Sequence, residues 1–444
     1  MPAGIEGYSK LGCRFVETVG QGGTPPHEGR LKAKRNLIPL VGGQAISLFG
    51  DYIAFFTLPL FVLSLTGDAF DLGLTAAAET LPMLLFGLAA GVFLDRRRRL
   101  GATLIGADLV RAGLFLFLAV GSYGGWISEY IVFAVAFLTG SMAVLFDSGL
   151  QSYMTRSLLD EDLIRANTQL GIARTLSLSA APLVGGIIIA LAGGFALAFG
   201  LNAVTFVVSG ALLAFVRPIK RVSPPEHEPF GVAIRSGLKV LFADDRLKWG
   251  TLGGTVTNLV FQPLEILLVF FVATEVLGMD VSDGSILAER GREIALFFAA
   301  QAAIGSIGVA FAGRIARRIP LGTMYVIGLA MLGSGFLTVA IMGNWLAIIP
   351  AGIAITGVTW VNVALVTMRQ QLAPREHMGR VIAASRTFAW AGLPVGAAIG
   401  GALAGMVGVV PVYIGGSTAV IVVAILLMRT ALYRDAVMAG GRRP

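Results

Sequence analysis

The chain is 444 residues long, 56% hydrophobic and only 14% charged, with a mean hydropathy of +0.80. Soluble domains average about 25% charged residues, so these values exclude a soluble enzyme and predict an all-α polytopic membrane protein. The net charge of +8 does not indicate a nucleic-acid partner, because the aromatic residues lie in the apolar segments and not among the basic ones.

Residues 1–36 are polar, do not read as a secretory signal, and are expected to form a cytoplasmic tail. A bilayer-spanning helix needs ~20 mostly apolar residues. Twelve such spans follow: 37–65, 71–94, 101–121, 127–151, 165–192, 195–216, 248–276, 293–313, 321–342, 345–370, 379–406 and 409–429. Pro59, Pro82, Pro182, Pro263 and Pro394 fall inside them, which membrane helices tolerate when neighbouring helices re-satisfy the backbone. The expected organisation is a six-helix bundle over 37–216, a linker over 217–247, a second six-helix bundle over 248–429 and a tail over 430–444. Within the linker, Phe230, Ile234, Leu238 and Leu241 recur at helical spacing with Arg235 and Lys239 between them. That pattern predicts an amphipathic helix on the cytoplasmic surface.

Charge asymmetry predicts the orientation. Of 34 basic residues, Arg290 and Arg292 fall on one side, Arg111, Arg174 and Arg386 lie within spans, and the remaining 29 share the side of both termini. By the positive-inside rule that side is cytoplasmic.

The two bundles repeat. Arg174-Thr175 precedes Pro182 by eight residues in span 5, and Arg386-Thr387 precedes Pro394 by eight residues in span 11, an offset of 212. Asp51 in span 1 is matched by Glu265 in span 7, and the basic cluster Arg96–Arg99 by Arg314, Arg317 and Arg318. Halves of this kind suggest a transporter with a site near the midplane between them.

Charges within spans need a reason, since each costs several kcal/mol by insertion scales. Asp51 and Glu265 lie ~22 Å along helices that cross ~30 Å of hydrocarbon, where a carboxylate can exchange protons as access alternates; a fixed ion pair is the competing explanation. Arg174 and Arg386 are the expected counter-charges, pairing as Asp51–Arg174 and Glu265–Arg386. Glu79, Asn258, Gln262 and Trp360 are candidates to line a substrate cavity, as are the aromatics Phe55, Phe56, Phe261, Phe270, Phe271 and Trp390. One cysteine, Cys13, and three histidines cannot make an ordinary zinc or iron–sulfur site, so no metal or other cofactor is expected. No P-loop, HExxH or GxSxG motif is present, so catalysis and ATP-driven pumping find no support.

Gly91-Val-Phe-Leu-Asp95-Arg96-Arg-Arg-Arg99 resembles the loop 2–3 signature of the major facilitator superfamily, G-x-x-x-D-R-x-x-R. Ala107-Asp108-Leu-Val-Arg111, Arg165-Ala-Asn167 and Met368-Arg-Gln-Gln-Leu-Ala-Pro374 followed by Gly379-Arg-Val381 are similar to a bacterial branch containing macrolide efflux proteins and an enterobactin exporter. Gly313 stands where the second copy of the motif has its aspartate, so that copy is degenerate. The resemblance implies alternating access, export driven by the proton gradient, and a cytoplasmic gate held by the charges of Asp95, Arg96 and Arg99, with Asp108 and Arg111 joining that network. A monomer in the bacterial cytoplasmic membrane, with a small-molecule substrate and protons as partners, is the expected form. Two other readings stay open: a lipid flippase or importer on the same fold, and a non-transporting scaffold or sensor.

Overall fold

A computed structural model describes residues 27–95, 99–192, 194–219, 230–281, 284–373 and 378–434. Helices make up nearly all of it, and no strand occurs among the described residues. The first six are α1 (His27–Thr66), α2 (Ala69–Asp95), α3 (Leu100–Gly124), α4 (Glu129–Ser157), α5 (Asp160–Ala192) and α6 (Ala196–Ala214). The linker helix α7 (Phe230–Ala243) leads to α8 (Asp245–Phe271), α9 (Gly284–Ala316), α10 (Leu321–Met342), α11 (Ile348–Leu372), α12 (Met378–Val407) and α13 (Val409–Leu427), with a final turn α14 (Ala431–Arg434).

Eleven of the twelve long helices carry, among the described residues, a stretch long and apolar enough to cross a membrane, and in α5 the charge-free run 175–192 supplies the apolar stretch. The first half of α5 carries Arg165, Asn167, Gln169 and Arg174. Arg174 lines the central cavity between the halves, so this part of α5 does not need to be apolar throughout.

Each half packs by the same scheme. In the first, α1 packs on α5 and α6, α2 on α4, and α3 on α6. In the second, α8 packs on α12 and α13, α9 on α11, and α10 on α13. The third helix of each half ends on a left-handed glycine, Gly125 at φ +67° and Gly343 at φ +51°, where a Cβ would be strained. Buried tyrosines tie helix to backbone: Tyr153 Oη donates to the Val216 carbonyl at 2.9 Å, Tyr325 Oη to that of Gly250 at 3.0 Å, and Tyr413 Oη to that of Leu264. A buried hydroxyl left unpaired would cost about 1–3 kcal/mol.

The linker helix turns its apolar face onto protein. Leu241 is fully buried in a cluster with Leu247, Ala373, Val381 and Ala384, and the Phe242 and Phe388 rings meet edge-on at 5.7 Å. Arg235 and Lys239 remain exposed. At the following turn Asp244 caps α8, accepting from the backbone N–H groups of Arg246 and Leu247 at 2.8 and 3.3 Å. Partial burial pushes its carboxyl up, but the hydrogen bonds and charge of Arg246 outweigh this and hold it below the ordinary carboxylate range.

The halves meet through α2 against α12 and α5 against α9. In lipid there is no hydrophobic drive between helices, so close approach depends on small residues. A Cβ at Gly401 would lie 2.8 Å from the Gly73 Cα and 3.1 Å from the Phe70 carbonyl oxygen. Gly186 packs on Ala295 and Gly291, and Phe56 meets Phe298 with ring centroids 5.6 Å apart. The glycine contacts lie near the start of α2 and of α9 and in the later parts of α5 and α12, which places them at the end opposite the termini. That end is closed.

Closure brings a Cβ built at Gly405 to 3.7 Å from the Asp68 carboxylate. Replacing Cys13, the chain's sole cysteine, by Ser clears the background. Asp68→Cys with Gly405→Cys is then expected to cross-link rapidly under mild oxidation, read as a gel-mobility shift after cleavage in the linker. Adding Gly73→Val, which overpacks the contact by about 1–3 kcal/mol, should slow that cross-link several-fold. Equal rates with and without Gly73→Val would show that the glycine contact does not hold this end shut.

Candidate functional site

A cavity of about 380 Å³ lies between the halves, a size suited to a small organic molecule. Its wall sets polar and charged groups among apolar side chains such as Leu48, Leu58, Met83 and Phe115: Gln44, Asp51 and Tyr52 of α1, Glu79 and Thr80 of α2, Arg111 of α3, Asp147 of α4 and Arg174 of α5, faced by Gln262 of α8 and Trp390 of α12. Three carboxylates and two guanidinium groups share the space.

One ion pair dominates the wall. Arg111 Nη2 donates to Asp51 Oδ1 at 2.5 Å. The arginine side chain is 8% exposed and the aspartate 33% exposed, the latter towards the cavity. Three elements hold the guanidinium: Asp51 on α1, Asp108 one turn back on α3 at 3.9 Å, and the ring of Phe206 on α6, whose centroid is 3.9 Å from the Arg111 Cζ. Asp108 is fully buried. A guanidinium stacked on an aromatic face and shared between two carboxylates is compensated on several sides, which a lysine could not match.

This arrangement replaces two expectations. Asp51 pairs with Arg111 and not with Arg174, because α3 carries Arg111 at the depth of Asp51, so neither side chain has to stretch along the membrane normal. Arg111, expected at the cytoplasmic gate with Asp108, belongs instead to the cavity wall. It lies eleven residues into α3, ~17 Å along the helix. Arg174 is exposed on the cavity wall and makes no ion pair among the described residues.

Glu79 faces the same cavity, with no basic group within ion-pair distance among the described residues. Gln262 also lines it, whereas Asn258 and Trp360 do not. Asn258 Nδ2 donates to the Ala389 carbonyl at 2.8 Å and Trp360 Nε1 to that of Gly308 at 3.4 Å, so each ties two helices together. Trp390 takes the place expected for an indole in the cavity. Arg99 is exposed at the start of α3. The side chains of Gly91, Asp95, Arg96 and Arg386 lie outside the described residues, and with them the gate motif and the expected Glu265–Arg386 pair.

Glu265 lies apart, in a smaller pocket of about 40 Å³ lined by Tyr52, Phe55, Phe56, Phe298 and Gln301 among others. Tyr52 and Phe55 line both spaces and form the partition between them.

Removing one member of a buried pair leaves a charge uncompensated, at a cost of about 3–5 kcal/mol; the cavity exposure of Asp51 places this pair at the low end. Arg111→Gln is therefore expected to destabilise the protein by about 3 kcal/mol in detergent melts. Asp51→Asn/Arg111→Gln should recover about 1–3 kcal/mol relative to the sum of the single effects. Strict additivity would contradict the pairing.

The chain matches the model of the Major Facilitator Superfamily over residues 40–387. It is 23% identical over 389 residues to Macrolide efflux protein A of Streptococcus pyogenes, an alignment that covers 86% of this chain and 93% of that protein. Among solved structures, it is similar to a bacterial homologue of the human lysosomal transporter Spinster in an inward-facing, unoccupied conformation. The TM-score there is 0.66 at 15% identity, covering 93% of this chain and 97% of the other. A bacterial homologue of the iron transporter ferroportin in its inward-facing state gives 0.66 at 18% identity, covering 89% and 99%. With the family model spanning most of the chain, and with a fold of two six-helix halves around a charged cavity, this protein is a member of the Major Facilitator Superfamily and a multi-pass membrane transporter.

Proposed function

We propose that the chain exports amphipathic small molecules, drug-like or siderophore-like, across a bacterial cytoplasmic membrane in exchange for protons. The observation that carries this reading is the charged cavity between two halves that touch through small residues at the end opposite the termini. Both termini are cytoplasmic by the positive-inside rule, so the closed end is external and the cavity loads from inside. The similarity to a macrolide efflux protein over most of both chains supports export over import.

Asp51 and Glu265 are the carboxylates we assign to proton exchange. While Asp51 is ionised it holds Arg111 against α1. A proton arriving at Asp51 removes that attraction, and Arg111 turns to Asp108 on its own helix, 3.9 Å away. α1 is then free to move relative to α3, and because α1 also packs on α9 of the other half, the change reaches the interface that must open. A proton and a substrate thus bias the same element, which is what coupling requires. Asp95, Arg96 and Arg99 remain our candidates for the gate at the cytoplasmic end. The protein acts as a monomer and needs no cofactor in this scheme.

In inverted vesicles, accumulation of a dye or antibiotic should depend on an imposed pH gradient, and Asp51→Asn should lower gradient-driven accumulation at least tenfold while leaving downhill exchange measurable. A panel of macrolides, tetracyclines, dyes and siderophores supplies the transported probe. Full gradient-driven accumulation in Asp51→Asn would remove this residue from the proton path.

A further inference from the structure

The outer face of α9 ends in a cluster of arginines that the transport reading does not use. Phe298 and Ala302 of this helix face the pocket between the halves. Ile307 lies nine residues beyond Phe298, about two and a half turns, and so points the opposite way. Phe311, Arg314 and Arg318 follow on that outer face, at the i+4, i+7 and i+11 positions from Ile307. Ile307 is 61% and Phe311 48% exposed, which within a membrane span is exposure to lipid. Arg314 and Arg318, with Arg317 beside them, are exposed where the helix ends. The Arg314 Cζ stands 5.8 Å from the centroid of the Phe311 ring, so the apolar stripe runs straight into the basic cluster.

None of the three arginines has an acidic partner within ion-pair distance among the described residues. In the first half the matching cluster has Asp95 directly before Arg96, whereas here Gly313 stands directly before Arg314. A Cβ at Gly313 would meet nothing within 4 Å, so the acid is missing although there is room for one. Guanidinium groups grip phosphate oxygens in pairs, and anionic lipid head groups are drawn to basic clusters at the membrane surface. An apolar stripe leading into the bilayer from such a cluster matches a phosphate that carries acyl chains. We propose that the end of α9 binds an anionic phospholipid, with its phosphate on Arg314, Arg317 and Arg318 and an acyl chain along Phe311 and Ile307. The site lies in the leaflet on the side of the termini, outside the residues that line the central cavity. It is therefore independent of the transported substrate.

The test uses the full chain in detergent and counts bound lipids by native mass spectrometry during titration with palmitoyl-oleoyl phosphatidylglycerol. Phosphatidylcholine with the same chains is the zwitterionic reference. The wild type should bind its first phosphatidylglycerol at least tenfold more tightly than phosphatidylcholine. Arg314→Gln/Arg318→Gln should weaken that binding at least tenfold. Arg235→Gln/Lys239→Gln removes the same amount of charge from the linker helix and should change it less than twofold. Glycerol 3-phosphate, a phosphate without chains, should not displace the lipid at hundredfold excess. Equal binding of the two lipids by the wild type, wild-type affinity in Arg314→Gln/Arg318→Gln, or equal loss in the two double variants would each overturn the assignment. Displacement by glycerol 3-phosphate would make this a site for a free phosphate and overturn it as a lipid site. If Arg314→Gln/Arg318→Gln fails to insert, Arg314→Lys/Arg318→Lys keeps the charge that sets topology but loses the paired grip on phosphate. That variant should bind at least threefold more weakly, and wild-type affinity in it overturns the proposal alone.

Discussion

An arginine inside a bilayer must be met by opposite charge at its own depth, and the first half of this protein is arranged around one such group. Arg111 binds Asp51 at 2.5 Å, has Asp108 at 3.9 Å and lies on the ring of Phe206. Three helices therefore converge on one guanidinium. The pair is buried on the arginine side and open to the cavity on the aspartate side. A pair buried on both sides would be a fixed brace. This one is placed to be interrupted.

What an interruption can accomplish depends on the packing between halves. The same packing scheme repeats in each half, with α3 on α6 in one and α10 on α13 in the other. The two units touch along α2–α12 and α5–α9, where Gly73, Gly401 and Gly186 permit contact nearly at backbone distance. Contacts of this kind depend on fit rather than on expulsion of water. The charge site and the glycine seam are linked through α1, which carries Asp51 and packs on α5 and α9.

Much of this was legible in the sequence, because a bilayer imposes length and apolarity so strictly. The number of helices, the break between halves and the internal duplication follow from hydropathy, charge asymmetry and paired landmarks such as Arg174-Thr175 and Arg386-Thr387. Asp51, Glu79 and Gln262 line the cavity. The pairing of charges was not legible. Depth along a helix says how far a residue lies from the surface but not which neighbour it faces, so the sequence pointed to Arg174 as the partner of Asp51, whereas α3 turns Arg111 to it. Distance also misled the assignment of Asp108 and Arg111 to the gate, since both follow the loop motif closely in sequence. Trp360 and Trp390 show the same limit: each is an indole in an apolar span, and only one faces the cavity. The Glu265 pocket draws its rings from α1 and α9, more than two hundred residues apart, and no local pattern announces it.

Protonation of Asp51 is the step on which the account turns, and infrared difference spectroscopy observes it directly. Reconstituted protein taken from alkaline to acidic buffer should gain a carboxylic-acid C=O band that is absent from Asp51→Asn, with an accompanying change in the guanidinium bands that is lost in Arg111→Gln. A carboxylic-acid band identical in wild type and Asp51→Asn would contradict the account.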